Sequence, residues 1–226
     1  VSPRLILWIT IMKTRTFWLL FLILMLLTAA VTLWAYPRMP DIIPTHWNAQ
    51  GQADDFSEKS GSIWILPIMM VGTTLLLVFL PKLDPLRKNV ALFSDVYYTF
   101  VLLVNGFFLY LHILTLWIGM GSRIQMVQWL VPAYAALCAC CGWMVGRAKP
   151  NWFIGLRTPW TLSDERVWDQ THALGRKTFY LAAAATLPGI FWPQAAFFFL
   201  FAPLLLASFI PVVYSYFLHR KLHNPH

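Results

Sequence analysis

Long apolar runs dominate this chain, and their length limits what it can become. They extend from Phe17 to Ala35, Ile63 to Leu80, Val96 to Met120 and Val127 to Val145, and a final region from Phe179 to Leu218 is 40 residues long. A helix crosses the hydrocarbon core of a bilayer in about 20 residues. The first four runs therefore read as single spans and the last as two, joined at Trp192-Pro193-Gln194. A re-entrant hairpin is the alternative for the last region, because Pro188-Gly189 interrupts its first half and irregular backbone is tolerated where protein buries it. Composition closes off a water-soluble globule. Of 226 residues, 59% are apolar and 12% charged, against about 25% charged in an ordinary soluble domain. The expected fold is all-α: a polytopic helical membrane protein of about six spans. Residues 1–16 form a short N-terminal segment and 17–226 a single transmembrane domain, with connecting loops at 36–62 and 146–178. The basic start and apolar run after Met12 point to that methionine as the translation start.

Charge supplies an orientation. Arg4, Lys13 and Arg15, then Lys82, Arg87 and Lys88, then the six of the 146–178 loop and finally Arg220 and Lys221 fall on alternate segments, and only Arg38, Lys59 and Arg123 fall on the others. The positive-inside bias places both termini in the cytoplasm, the 36–62 loop outside and the 146–178 loop inside, in a bacterial inner membrane. A cleaved signal peptide is the rival reading of the first run; it would remove a span without changing which loops face out. The net charge of +8 is thus a topology signal. No basic stripe with interleaved aromatics exists to follow a phosphate backbone, so no direct nucleic-acid partner is expected; the bilayer itself is the first partner.

The spans carry little reactive chemistry. Cys138, Cys140 and Cys141 lie in one run among Ala135, Ala136, Ala139, Gly142 and Gly146, a setting for close helix packing rather than for a metal site. Tyr98, Asn105, His112 and Gly119 recur every seven residues, nearly two helical turns, and so form a stripe on one face. Intramembrane polar groups face the protein interior. They serve here either as interhelical hydrogen bonds or as a solute path, and the second possibility keeps a small-solute or lipid transporter as the alternative function. No nucleophile context, H-E-x-x-H motif or phosphate-cradling glycine loop appears, so no catalytic set, cofactor or metal is expected. A lipid- or peptide-directed enzyme using His46 or His172 as a base is a weaker rival.

Two loops are distinctive. The first reads P-T-H-W-N-A-Q-G-Q-A-D from Pro44 to Asp54. Its prolines stiffen the chain, Asn48 to Gly51 supply turn residues, and His46 could meet Asp54 or Asp55. The second reads P-N-W-F-I-G-L-R-T-P-W-T-L from Pro150 to Leu162. After it, Thr161 and Asp164 resemble a capping box, Gly175 a helix stop, and Val167, Trp168, Thr171 and Leu174 share a face. This predicts a short amphipathic helix on the inner membrane surface, with Trp168 stacked on His172. Arg157 is placed to meet a lipid phosphate or a carboxylate such as Glu165.

Together these motifs resemble a known pairing. The first loop is similar to the signature of a bacterial membrane domain of unknown function, and the second, with Trp168, His172 and Gly175, to the hallmark of the SdpI immunity-protein family, which often joins the two modules in this order. The resemblance covers roughly Tyr36 to Ala185. It implies protection from a secreted membrane-active antimicrobial peptide, with signalling by holding a transcriptional repressor at the membrane. It also implies a peptide toxin outside and a repressor protein inside as partners. On that reading Pro44, His46, Trp47, Asn48, Gly51 and Asp54 are the outward positions. Asn151, Gly155, Arg157, Thr158, Pro159, Trp160, Trp168, His172 and Gly175 are the inward ones.

Overall fold

The computed structural model describes residues 14–223; the expected start at Met12 lies outside them. The described residues form six long helices: α1 (Thr14–Ala35), α2 (Ile65–Phe79), α3 (Ser94–Gly119), α4 (Met126–Val145), α5 (Glu165–Thr186) and α6 (Ala196–His223). Between α1 and α2 lies an antiparallel hairpin of β1 (Ile42–Trp47) and β2 (Ala53–Glu58). This small sheet adds to the expected all-α architecture without altering it. Pro44 has no N–H to give the ladder, and the register slips between Pro44 and Trp47.

Among the described residues, five segments are long and apolar enough to span a membrane: Thr14–Arg38, Lys59–Leu83, Ser94–Gly119, Met126–Val145 and Pro193–His223. Large apolar side chains such as Leu26, Leu33, Leu76, Leu205 and Phe209 are exposed on them, as helices in lipid require. The chain is a polytopic helical membrane protein. Among the described residues, buried side chains form three clusters, one of them Val127, Val131, Ala196 and Leu200 between α4 and the start of α6. Phe17, Val90, Phe93, Tyr97, Ile154 and Trp168 pack at what we call the loop end. Ala35, Met39, Ile43, Ile63 and Leu116 pack under the β-hairpin, at the hairpin end.

Helix α5 departs from expectation. The short helix expected to stop at Gly175 runs on to Thr186 and through a 3-10 turn, Leu187–Ile190. Gly175 is inside the helix, and what it supplies is closeness: a Cβ there would lie 2.5 Å from Leu156 Cδ1 and 3.2 Å from Val145. The expected capping box also shifts by one turn. Thr158 and Thr161 cap each other around a single-turn helix, Pro159–Ser163, while Asp164 caps α5. Pro159 at the first helical position favours that start.

Helix α5 then follows α4 along its whole length. Gly142 faces Arg176 and Phe179 at the loop end, Gly189 lies against Val131, and the Gln128 side-chain amide donates to the Ile190 carbonyl at 3.0 Å near the start of α4. The first half of the last apolar region therefore packs along α4 as far as Gln128 before α6 returns; unlike α6, it is not among the segments long and apolar enough to span a membrane.

Candidate functional site

At the loop end, residues 147–160 are held by Asn151, which is fully buried. Its Oδ1 accepts from the N–H groups of Phe153 at 2.9 Å and Ile154 at 2.6 Å. Its Nδ2 donates to the carbonyls of Lys149 at 2.7 Å and Ile154 at 2.9 Å. One amide thus folds the loop with all four of its usual bonds made. Asp84, buried between α2 and α3, adds a clamp from the neighbouring connection: its carboxylate accepts from the N–H of Trp152 at 2.8 Å and of Leu86 at 2.7 Å. Asn89 donates to the Pro150 carbonyl at 2.8 Å.

The loop closes over α5. Trp168 is fully buried and its indole N–H donates to the Ala148 carbonyl at 2.9 Å. His172 stacks on it, ring centroids 4.0 Å apart, as the sequence spacing predicted. Trp168 O lies 2.8 Å from His172 Nδ1, and Leu156 N–H donates to Nε2 at 3.0 Å. A carbonyl on one nitrogen and an N–H donor on the other select the neutral ring protonated at Nδ1. Gly155 makes this possible. Its φ is +107°, and a Cβ would lie 2.5 Å from His172 Nε2.

Burial lowers the His172 pKa from 6.5 to about 4, with the Trp168 carbonyl and Asp169 opposing the shift more weakly. The ring stays neutral in the folded loop but binds a proton near pH 6.5 when unfolded. Its contribution is therefore whole above about pH 6.5 and is lost as pH falls toward 4. The loss should reach about 3 kcal/mol. Denaturation midpoints between pH 7.5 and 4 should fall accordingly in the native chain and more gently in His172→Gln.

Other motif residues are also internal. Thr158, half of the capping pair, meets Ser215 of α6 at 3.0 Å, and Trp160 packs edge-on against Tyr216. The inward set thus divides: Asn151, Thr158, Trp168, His172 and Gly175 are buried, while Arg157 and Pro159 are exposed beside Trp152. Arg157 meets neither Glu165 nor another carboxylate among the described residues. Its guanidinium donates to the Trp152 carbonyl at 2.9 Å. Asp164 pairs with Arg166 at 2.8 Å, whose hydrogen bond holds that carboxyl at about 2.

At the hairpin end, His46 Nδ1 lies 2.6 Å from Asp54 Oδ1, both well exposed; Asp55 is not its partner. Asn48 organises the turn, its Oδ1 accepting from the N–H groups of Gln50 and Gln52, each at 3.0 Å. Gly51 has φ +75°, and a Cβ there would lie 2.8 Å from Val127, so the hairpin tip sits on the start of α4. Pro44 and Trp47 face inward and line a cavity with His112. Among the described residues no group of three or more His, Cys, Asp or Glu gathers to hold a metal.

The polar stripe of α3 is bonded between helices. Asn105 Nδ2 donates to Thr74 Oγ1 of α2 at 2.7 Å, and His112 Nε2 lies 2.7 Å from Thr32 Oγ1 of α1. Tyr98, at the loop end, packs on Phe17. The partners Thr32 and Thr74 are buried. In the sequence they look like ordinary residues of lipid-facing runs, just as Asp84 looks like one more loop charge. Nothing in either pattern distinguishes them.

Two family models match, in the same order as the two clusters. Residues 23–71 match DUF1648, a domain of unknown function, and residues 147–215 match the SdpI/YfhL protein family. The second segment is similar to an SdpI/YfhL module. That module begins at the Asn151 loop and ends at Ser215, so it holds both partners of the Thr158–Ser215 contact. The chain is also 26% identical over 207 residues to "Immunity protein SdpI" of Bacillus subtilis (strain 168), covering 90% of this chain and 96% of that protein. No solved structure matches.

Proposed function

We propose that this chain is a multi-pass immunity protein of the bacterial inner membrane, protecting its host from a secreted membrane-active peptide. The observation that carries this is the nearly end-to-end likeness to an immunity protein, reaching across both modules. The geometry agrees with such a role. The charge distribution favours both termini inside, and the packing of α5 along α4 supports a sixth pass. The hairpin then faces the source of a peptide and the Trp152–Arg157 surface faces the cytoplasm. Toxin-sensitive bacteria expressing the chain should survive membrane-depolarising peptides at ten or more times the concentration that kills cells without it. Unchanged killing across the panel, with the protein inserted at a normal level, rejects the reading.

The signalling half has a narrower surface than the motif implies, because most motif residues are internal. Trp152, Arg157 and Pro159 are the groups a cytoplasmic repressor would touch. Trp152→Ala with Arg157→Ala should abolish repressor recruitment to membranes at unchanged protein level; normal recruitment in that double variant removes this half of the proposal. The transporter alternative draws less support, since the stripe it needs is bonded to Thr74 and Thr32.

A further inference from the structure

The hairpin covers a cavity of about 70 Å³ whose walls come from three parts of the hairpin end: Ile43 and Trp47 from the hairpin, Ile63 before α2, and Leu116 from α3. On the measure by which one water needs roughly 10–15 Å³, this is room for a small organic group. Its polar lining includes His112, Ser62 and Thr115. His112 is 1% exposed. Thr32 O–H donates to the Thr28 carbonyl at 2.7 Å, so at the 2.7 Å contact between them the imidazole must be the donor, through Nε2. That leaves Nδ1 as a bare acceptor with no partner among the described residues. The His112 side chain is one of the groups lining the cavity, with only Nε2 held by a protein partner among the described residues.

The chemistry of the lining selects a ligand. Thr115 Oγ1 donates to the His112 carbonyl at 2.8 Å, which leaves it as an acceptor here. Ser62, at the rim, can donate or accept. No charged side chain lines the cavity, and the nearby Lys59 ammonium is held by the Met39 carbonyl at 2.9 Å and by Asp41 at 3.5 Å. A charged ligand would be desolvated without a counter-ion. A hydroxyl fits: its proton goes to His112 Nδ1 and its oxygen accepts from Ser62, with an apolar stem against Ile63 and Leu116. We propose that this cavity binds a neutral hydroxyl group carried on a short apolar stem, with His112 as the acceptor. The proposal goes beyond the immunity reading and stands or falls independently of it.

The test uses the full chain in lipid nanodiscs with ¹⁵N-labelled histidine rings, His112→Gln assigning the His112 signals. Isopropanol and acetone have nearly the same size, but only isopropanol donates. Isopropanol should shift the His112 Nδ1 resonance saturably, and acetone at equal concentration should move it no more than a third as far. The His172 signals should stay fixed as the reference for an intact fold. Ser62→Phe, filling the rim, should abolish the response with His172 unchanged. N-acetylthreonine methylamide separates the sources of the hydroxyl: a matching shift supports the site and extends it to peptide side chains, whereas silence beside an isopropanol response supports it for free alcohols. Equal shifts from isopropanol and acetone, a response that never saturates, or none at all would overturn the proposal.

Discussion

Trp168→Ala should lower the stability of the folded chain by about 4 kcal/mol, the range for emptying a large aromatic site in a packed core. The indole is fully buried among Ile154, Phe179 and Tyr97. Its removal also takes the donor from the Ala148 carbonyl and the stacking face from His172. Titration with a denaturing detergent, followed by helix content, measures the loss. Trp152→Ala is the matched control: that ring is 52% exposed and packs in no core cluster, so its cost should stay within about 0.5 kcal/mol. Equal losses for the two tryptophans would mean the loop end is not packed as described.

Asn151→Ala should cost about 3 kcal/mol and act locally. It leaves the buried Ile154 N–H without an acceptor and the carbonyls of Lys149 and Ile154 without a donor, and each such orphan costs roughly 1–3 kcal/mol. Asn151→Asp should do no better. It keeps the acceptor but sets carboxylate oxygen against two carbonyl oxygens. Hydrogen exchange read by mass spectrometry should show amides of residues 147–158 exchanging at least tenfold faster in both variants, with those of α3 unchanged. Protection that survived in the loop would show that Asp84 and Asn89 hold it without Asn151.

The apolar runs announced the long helices because span length is a property of one segment at a time. The Trp168–His172 stack was legible for the same reason, both rings lying on one turn-spaced face. What escaped the sequence depends on who the neighbour is. Gly175 has the look of a terminator, but its missing side chain serves the approach of Leu156 and Val145. Thr161 belongs to two overlapping cap patterns, and Pro159 was the cue that separates them. The prolines of the 36–62 loop hid a hairpin, since Pro inside a strand argues against the strand. In the site, the motif residues were found but their exposure was not. Asn151, Trp168 and His172 read equally well as contact residues or as the loop's own scaffold, until burial separates them from Trp152 and Arg157.

The contacts between the SdpI-type loop and α6 also set an order of events. Thr158 meets Ser215, Trp160 packs on Tyr216, and Asp164 lies 3.4 Å from His223. Synthesis runs from the N-terminus, so the loop leaves the ribosome nearly sixty residues before the partners that close it. Until α6 has entered the membrane and folded back, the buried hydroxyl of Thr158 lacks its Ser215 contact and the loop is unfinished. Its closure is therefore a molecular receipt: the finished loop surface exists only after the final hairpin has been delivered.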